Sequence, residues 1–204
     1  VPSAEAEVTG ESAESEDGLP RFQMTGEEVI HHSVVFSVTK AAFIDPHGST
    51  FERDIVRHPG AVAVVAITDE DAVVLVRQFR APLDRWILEV PAGTCDVVGE
   101  AALEAAHREL AEEVGYAAAD LELLTRCAIT PGFCDELSSV YLATGLRPVP
   151  LDRQGIEEAF MEVVEIPLSA FDDLVDDGTI IDATTIMGVG LARRRLALPV
   201  IDTP

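Results

Sequence analysis

Between Gly99 and Gly115 the chain carries neither glycine nor proline and is dense in Ala, Leu and Glu. These residues lose little side-chain freedom in a helix, so residues 99–113 predict one. Leu103, Ala106, Leu110 and Val114 recur at three- and four-residue steps and form a single apolar stripe. Gly115 supplies the stop. The opposite face breaks two local rules. At about 100° per residue, Glu109 and Glu113 stand one above the other and Glu112 lies roughly 60° to the side. Like charges at this spacing cost a helix a few tenths of a kcal/mol, roughly. They also crowd the C-terminal end, where the helix dipole disfavours anions.

Two readings meet here. In a chain with 37 acidic residues the cluster is either a highly charged outer face or a site for hard divalent cations. Mg2+ and Mn2+ prefer oxygen ligands, keep some of their waters and are commonly shared with substrate phosphates. Arg108, four residues before Glu112, can hold that carboxylate by a charge-assisted hydrogen bond and leave Glu109 and Glu113 to face the ions. Glu100, at the N-terminal end, either binds a more distant metal or caps the helix.

The flanking sequence predicts strands. Residues 29–44 alternate loosely and are rich in Val, Phe and Ile. The turn Asp45-Pro46-His47-Gly48 separates them from a second strand-like run, 49–57, which makes a hairpin signal. Pro59-Gly60 punctuates the chain. Residues 61–68 and 72–79 form a second hairpin, apolar enough to be buried on both faces. Short strands follow at 86–90, 121–129, 137–142 and 159–166, with a short helix near 168–175 and a last helix at 184–196. Strands and helices alternate without regular βαβ repeats, which predicts an α/β fold of the α+β sandwich kind: a mixed sheet flanked by helices, with a small N-terminal antiparallel β unit. The expected divisions are a solvated tail over 1–20, a β-hairpin unit over 21–58 and a catalytic domain over 59–204. The tail has several Glu and Ser and no aromatic residue, so it has little to bury against the entropy of ordering.

A net charge of −23 argues against nucleic acid and anionic membrane surfaces as partners. The small basic groups Arg77/Arg80/Arg85 and Arg193–Arg195 suit a nucleotide phosphate or a packed helix end. Cys95, Cys127 and Cys134 form no CxxC pair and no even framework. With no signal peptide at the start, they read as free thiols of a cytoplasmic protein. No apolar run approaches the roughly 20 residues that span a bilayer.

The stretch from Gly93 to Tyr116 resembles the Nudix box, G-x5-E-x7-R-E-U-x-E-E-x-G-U with U bulky and apolar. Glu100, Arg108, Glu109, Leu110, Glu112, Glu113 and Gly115 match in spacing, and Tyr116 suits the last apolar place. The departure is at the start: six residues rather than five separate Gly93 from Glu100, and Thr94 stands in strict register. The resemblance implies metal ligation by Glu109, Glu112 and Glu113, with the backbone carbonyl of Ala92 also available. Three further segments resemble the ADP-ribose pyrophosphatases of that family. These are Leu88-Glu89-Val90-Pro91-Ala92-Gly93 entering the box, Arg77-Gln78-Phe79-Arg80 on the preceding strand, and Pro131-Gly132-Phe133-Cys134-Asp135-Glu136, whose proline lies sixteen positions after Gly115. The implied activity is metal-dependent hydrolysis of ADP-ribose to AMP and ribose 5-phosphate. The alternatives are another sugar nucleotide such as GDP-mannose, or a nucleotide-binding regulator without catalysis.

An adenine and two riboses need a flat apolar contact and hydroxyl acceptors, and a diphosphate needs positive charge. Trp86 or Phe36 can supply the stack, Arg77 and Arg80 a phosphate or terminal-ribose contact, and Glu136 or Glu89 a sugar-hydroxyl or metal contact. Gly132 belongs to the loop expected beside the substrate. The competing readings are a core or dimer contact for Trp86 and a surface ion pair for Arg80. The attacking water needs a base. Glu157 and Glu158 lie in an acidic loop, and by resemblance such a loop supplies a glutamate that activates the water; the offset from the following strand favours Glu157, and a slip of one residue would select Glu158. The N-terminal unit is too small to hold its own core. The resemblance implies a homodimer in which this unit packs on the partner.

Overall fold

The computed structural model describes residues 18–153 and 158–196. Most of the expected tail, and Glu157, lie outside the described residues. Two compact units are present: one runs to Arg57 and includes Gly132–Cys134, and the other comprises His58–Pro131 and the chain from Asp135.

In the first unit, β1 (Gln23–His32), β2 (Ser37–Ile44) and β3 (Thr50–Arg57) form an antiparallel sheet in that order. The run 29–44, read from sequence as one strand, is two. Ser33 N–H donates to Phe36 O at 2.8 Å and reverses the chain between them. The expected hairpin is therefore a three-stranded sheet. Its second turn follows the sequence reading: Asp45 Oδ1 accepts from the His47 and Ser49 amides at 2.8 Å each. Phe43 and Phe51 stack with centroids 5.3 Å apart, and Phe22 meets Phe51 edge-on. Val56 N–H donates to Phe133 O at 2.8 Å, which is how the tip of the Pro-Gly loop comes to belong to this unit.

The second unit is built on β4 (Ala61–Ile67), whose near-continuous apolar run reflects burial on both faces. Val62, Val64 and Ala66 point to one side and Ala63, Val65 and Ile67 to the other, as the two-residue period of a strand requires. The main path of the sheet runs β10 (Glu162–Pro167), β5 (Ala72–Arg80), β4, β9 (Leu137–Pro148), β8 (Tyr116–Ala128). β4 and β9 are parallel, and the other pairs are antiparallel, so the sheet is mixed. β4 and β5 pair only at Ala66↔Val74 and Ile67↔Val73. Beyond that they part: β5 takes β6 (Arg85–Glu89), and β4 takes β7 (Ala92–Thr94). Val64 N–H donates to Pro91 O at 2.9 Å across the gap. The segment from Arg85 to Thr94 is thus held between two separating strands, and β7 is anchored to β4 at the centre of the sheet.

Helix α1 (Ala102–Val114) lays Ala105, Ala106, Leu110 and Val114 on the Val62/Val64/Val74/Val76 face. Fully burying Leu110 alone contributes on the order of 1.5–3 kcal/mol. The other face is covered by α2 (Phe171–Asp176) and α3 (Ala183–Arg195), which bring Phe171, Val189 and Ala192 onto Val65, Leu75 and Val140. The result is a mixed sheet flanked by helices, as expected.

Boundaries differ where pairing overrides local preference. β8 begins at Tyr116 rather than 121, because the Ala-rich start pairs in register with the end of β9, Tyr116↔Pro148 and Ala117↔Arg147. Residues 158–160 form a 3₁₀ turn, so the last strand starts at Glu162 rather than 159. α1 starts at Ala102, later than the composition predicts. Among the described residues no helix is long and apolar enough to cross a membrane.

Gly188 allows α3 to approach the sheet closely: a Cβ there would stand 2.9 Å from Val65 Cγ2 and 3.3 Å from Val140 Cγ1. Gly188→Val should therefore lower unfolding stability in urea by about 1–3 kcal/mol. An unchanged midpoint would mean that α3 rides up without cost.

Candidate active site

The C-terminal half of α1 carries the carboxylates, and Arg108 holds them. Its Nε and Nη2 donate to the two oxygens of Glu100, each at 3.0 Å, in a fork. Nη1 donates to Glu109 Oε1 at 2.7 Å and to Glu112 Oε2 at 3.0 Å. Arg108 thus binds three acids, and its own pKa is pushed up, first by the bonds to Glu100. The grip on Glu112 agrees with the sequence reading. Of the two sequence readings of Glu100, the cap does not hold. It precedes the helix and pairs with Arg108, while Glu104 Oε2 accepts the Ala101 N–H at 3.0 Å and caps the start.

Glu113 turns inward. It is 4% exposed, and its Oε2 accepts the Ala92 N–H at 2.9 Å, so the end of α1 is bonded to the start of β7. Burial pushes the Glu113 carboxyl up to about 8. Glu109 is also pushed up, first by burial and against the pull of Arg108. Gly93 lies directly beneath Glu109: a Cβ at position 93 would overlap that carboxylate. The close approach identifies Gly93, not Thr94, as the glycine the helix requires. Between Gly93 and the helix the loop is exposed at Val97 and Val98, and Gly99 has φ +86°. Among the described residues, no three His, Cys, Asp or Glu side chains converge on one point in the manner of a closed metal site. Glu113 faces Ala92, and Glu109 and Glu112 face Arg108.

Beside β7 opens a cavity of about 280 Å³ lined by Arg80, Glu89, Ala92, Gly93, Glu136 and Asp182, among others. Arg80 Nε donates to Glu89 Oε2 at 2.8 Å. Glu89 is buried, which pushes its pKa up, and Arg80 opposes that shift. Asp182 caps α3 by accepting the Thr185 amide and hydroxyl, each at 2.7 Å, and Thr185 Oγ1 accepts the Val90 N–H at 2.9 Å. The start of α3 is in this way fastened to the strand that carries Glu89. Asp182, Thr184 and His58 line the cavity and were missed from sequence. The pattern Asp182-Ala183-Thr184-Thr185 before a helix is a legible N-cap signal. His58, its N–H on Asp135 Oδ1 at 2.8 Å, carried no local sign.

The structure therefore brings Arg80, Glu89, Glu136 and Ala92 together around one cavity, next to Glu109 and Glu113. Glu158 lies close enough that its charge raises the pKa of both Glu109 and Glu113. Arg77 stands outside this group and pairs with Glu162 at 3.3 Å on the exposed side of β5. Trp86 is 47% exposed on β6 and meets Phe79 edge-on at 5.9 Å. Phe36 and Gly132 belong to the first unit.

Comparison with known proteins gives four findings. A family profile, the NUDIX domain, matches residues 57–182. The chain is 42% identical over 153 residues to an ADP-ribose pyrophosphatase of Bacillus subtilis, covering 75% of this chain and 82% of that one. It is 40% identical, with the same coverage, to a protein of Bacillus methanolicus named methanol dehydrogenase activator. A crystal structure of an ADP compounds hydrolase superposes with a TM-score of 0.77 at 27% identity, covering 88% of this chain and 96% of the other.

The Glu113 carboxyl makes a pH prediction. With a folded pKa of about 8 against an ordinary 4.5, it binds its proton in the folded chain and releases it on unfolding. Its contribution to stability is present in full below the ordinary value and is lost as pH rises through the folded value. In chelator, the melting temperature of the wild type relative to Glu113→Gln should fall as pH is raised from about 5 to about 8. A difference independent of pH would show an ionised Glu113 throughout.

Proposed function

This chain belongs to the Nudix family, and from that premise we propose that it cleaves the pyrophosphate bond of ADP-ribose to AMP and ribose 5-phosphate with Mg2+ or Mn2+. It is a hydrolase of that family, and the family's chemistry relies on divalent metal ions. The reading of substrate rests on one observation: Arg80, Glu89 and Glu136, which resemble the substrate-contacting positions of ADP-ribose enzymes, line a single cavity with Ala92 and Gly93 of β7. Relatives named for ADP-ribose and for ADP compounds support it.

The donor set fits a hard cation shared with a diphosphate. Glu109, Glu112 and Glu113 offer carboxylate oxygens, Ala92 offers a carbonyl, and Gly93 keeps the space beneath Glu109 free of a side chain. Ions held by Glu109, Glu112 and Glu113 would supply positive charge to the diphosphate and would acidify the attacking water. Arg108 keeps Glu109 and Glu112 aligned. Arg80 presents its guanidinium to a phosphate or the terminal ribose, and Arg77 can add to the phosphate field. Glu89 and Glu136 accept sugar hydroxyls, and Trp86 offers a flat contact for the base. A carboxylate of the acidic segment, Glu157 in preference to Glu158, takes the proton from the water as it attacks phosphorus.

Assays with magnesium over ADP-ribose, GDP-mannose and dinucleoside polyphosphates test the reading. ADP-ribose should be the best substrate, chelator should abolish turnover, and Glu113→Gln should cost at least about a hundredfold in kcat. Glu157→Gln should be more damaging than Glu158→Gln. GDP-mannose as the preferred substrate would move the assignment within the family, and near-normal turnover of Glu113→Gln would overturn the metal role.

The reading includes a homodimer built through the first unit. β1 is exposed along all ten residues, with Met24, Val29 and Ile30 among them, and Phe22, Val34 and Val35 are exposed beside it. An exposed edge strand of that length with apolar residues beside it is normally covered. Light scattering should give twice the chain mass of 21.9 kDa, and a single-chain mass would remove the dimer.

A further inference from the structure

No basic residue lies in the last turn of α1, although that turn carries Glu112, Glu113 and the negative end of the helix dipole. The positive charge arrives from outside the helix. Arg153 is half-buried, and its Nε and Nη2 donate to the Glu113 carbonyl oxygen at 3.3 and 3.2 Å. Its Nη1 donates to the Met161 carbonyl at 2.7 Å. Met161 N–H in turn donates to Glu158 O at 3.0 Å and closes the 3₁₀ turn Glu158–Phe160. One planar guanidinium therefore spans two backbone carbonyls: one on the residue whose side chain is bonded to Ala92, the other at the base of the turn that carries Glu158.

We infer that Arg153 is a positioning residue, which sets the glutamate-bearing turn at Glu158–Phe160 against the Glu109–Glu113 end of α1. The geometry calls for arginine. Its fork reaches two acceptors at once and loses little freedom in doing so, whereas an ammonium is a point charge on a flexible stem. Neither carbonyl belongs to a side chain that a ligand would displace, so the link persists whether or not the cavity is filled. Its effect on rate follows from proximity: the proposed base, Glu157 or Glu158, is next to this turn in sequence or on it, and misplacing it by about 1 Å costs up to about a hundredfold. Nothing in the link discriminates between substrates, so it should act on turnover and leave binding alone.

The turnover part of this inference rests on the pyrophosphatase reading, and amide exchange tests the link without it. Arg153→Lys keeps the charge and loses the fork, and Arg153→Met loses both. In each full-length variant, the amide of Met161 should exchange with solvent at least about tenfold faster than in the wild type. With ADP-ribose and magnesium, kcat should fall about ten- to a hundredfold, while KM, the half-saturating magnesium concentration and the melting temperature of Arg153→Lys change little. Unchanged exchange at Met161 in both variants overturns the inference. So does a kcat per folded molecule within about twofold of wild type. A wild type that hydrolyses none of the diphosphates defeats the functional reading instead, and the exchange arm still decides whether Arg153 holds the turn.

Discussion

Carboxylates gathered on one turn at the wrong end of a helix repel one another and the helix dipole, and everything else at this site follows from how that repulsion is offset. Arg108 meets Glu100, Glu109 and Glu112 within 3.0 Å, and Glu113 escapes the cluster by facing the Ala92 amide. The arrangement costs stability in two ways: it holds Glu109 and Glu113 where burial disfavours their charge, and it fixes the long Arg108 side chain. Such cost is typical of sites built to accept charge from elsewhere.

The scaffold meets this demand through the parting of β4 and β5. A regular hairpin would have closed the sheet and left α1 resting on side chains. Because the two strands pair at only two positions, the segment from Arg85 to Thr94 enters between them and offers α1 a backbone surface at Ala92 and Gly93. The same segment carries Glu89 to the cavity wall, where Arg80 from the neighbouring strand meets it. The α3 cap at Asp182 pins the far side through Thr185 and Val90. One irregularity of pairing thus positions residues that lie apart along the chain.

Much of this was legible beforehand, and the parts that were not share a cause. The apolar stripe of α1, the doubly buried β4 and the spacing of Arg108 to Glu112 depend on neighbours within a few residues, and they were read correctly. The start of α1, the early onset of β8 and the split of 29–44 into two strands depend on partners far along the chain, and they were not. His58 and Asp182 reached the cavity unannounced because concavity is a property of several segments at once. Glu100 was assigned to the helix because its partner, Arg108, lies two turns away.

From its residues alone the chain determined the chemistry it can hold: helical periodicity puts three acids on one edge, with Arg108 in reach of Glu112. Only the tertiary structure decided that Glu109 lies against Gly93, that Arg80, Glu89 and Glu136 share a cavity, and that Arg153 bonds the end of α1 to the turn after β9. The division follows from range. Dihedral preference and side-chain period act over a few residues and can be read along a line, whereas burial and shared hydrogen bonds arise only once distant segments have met.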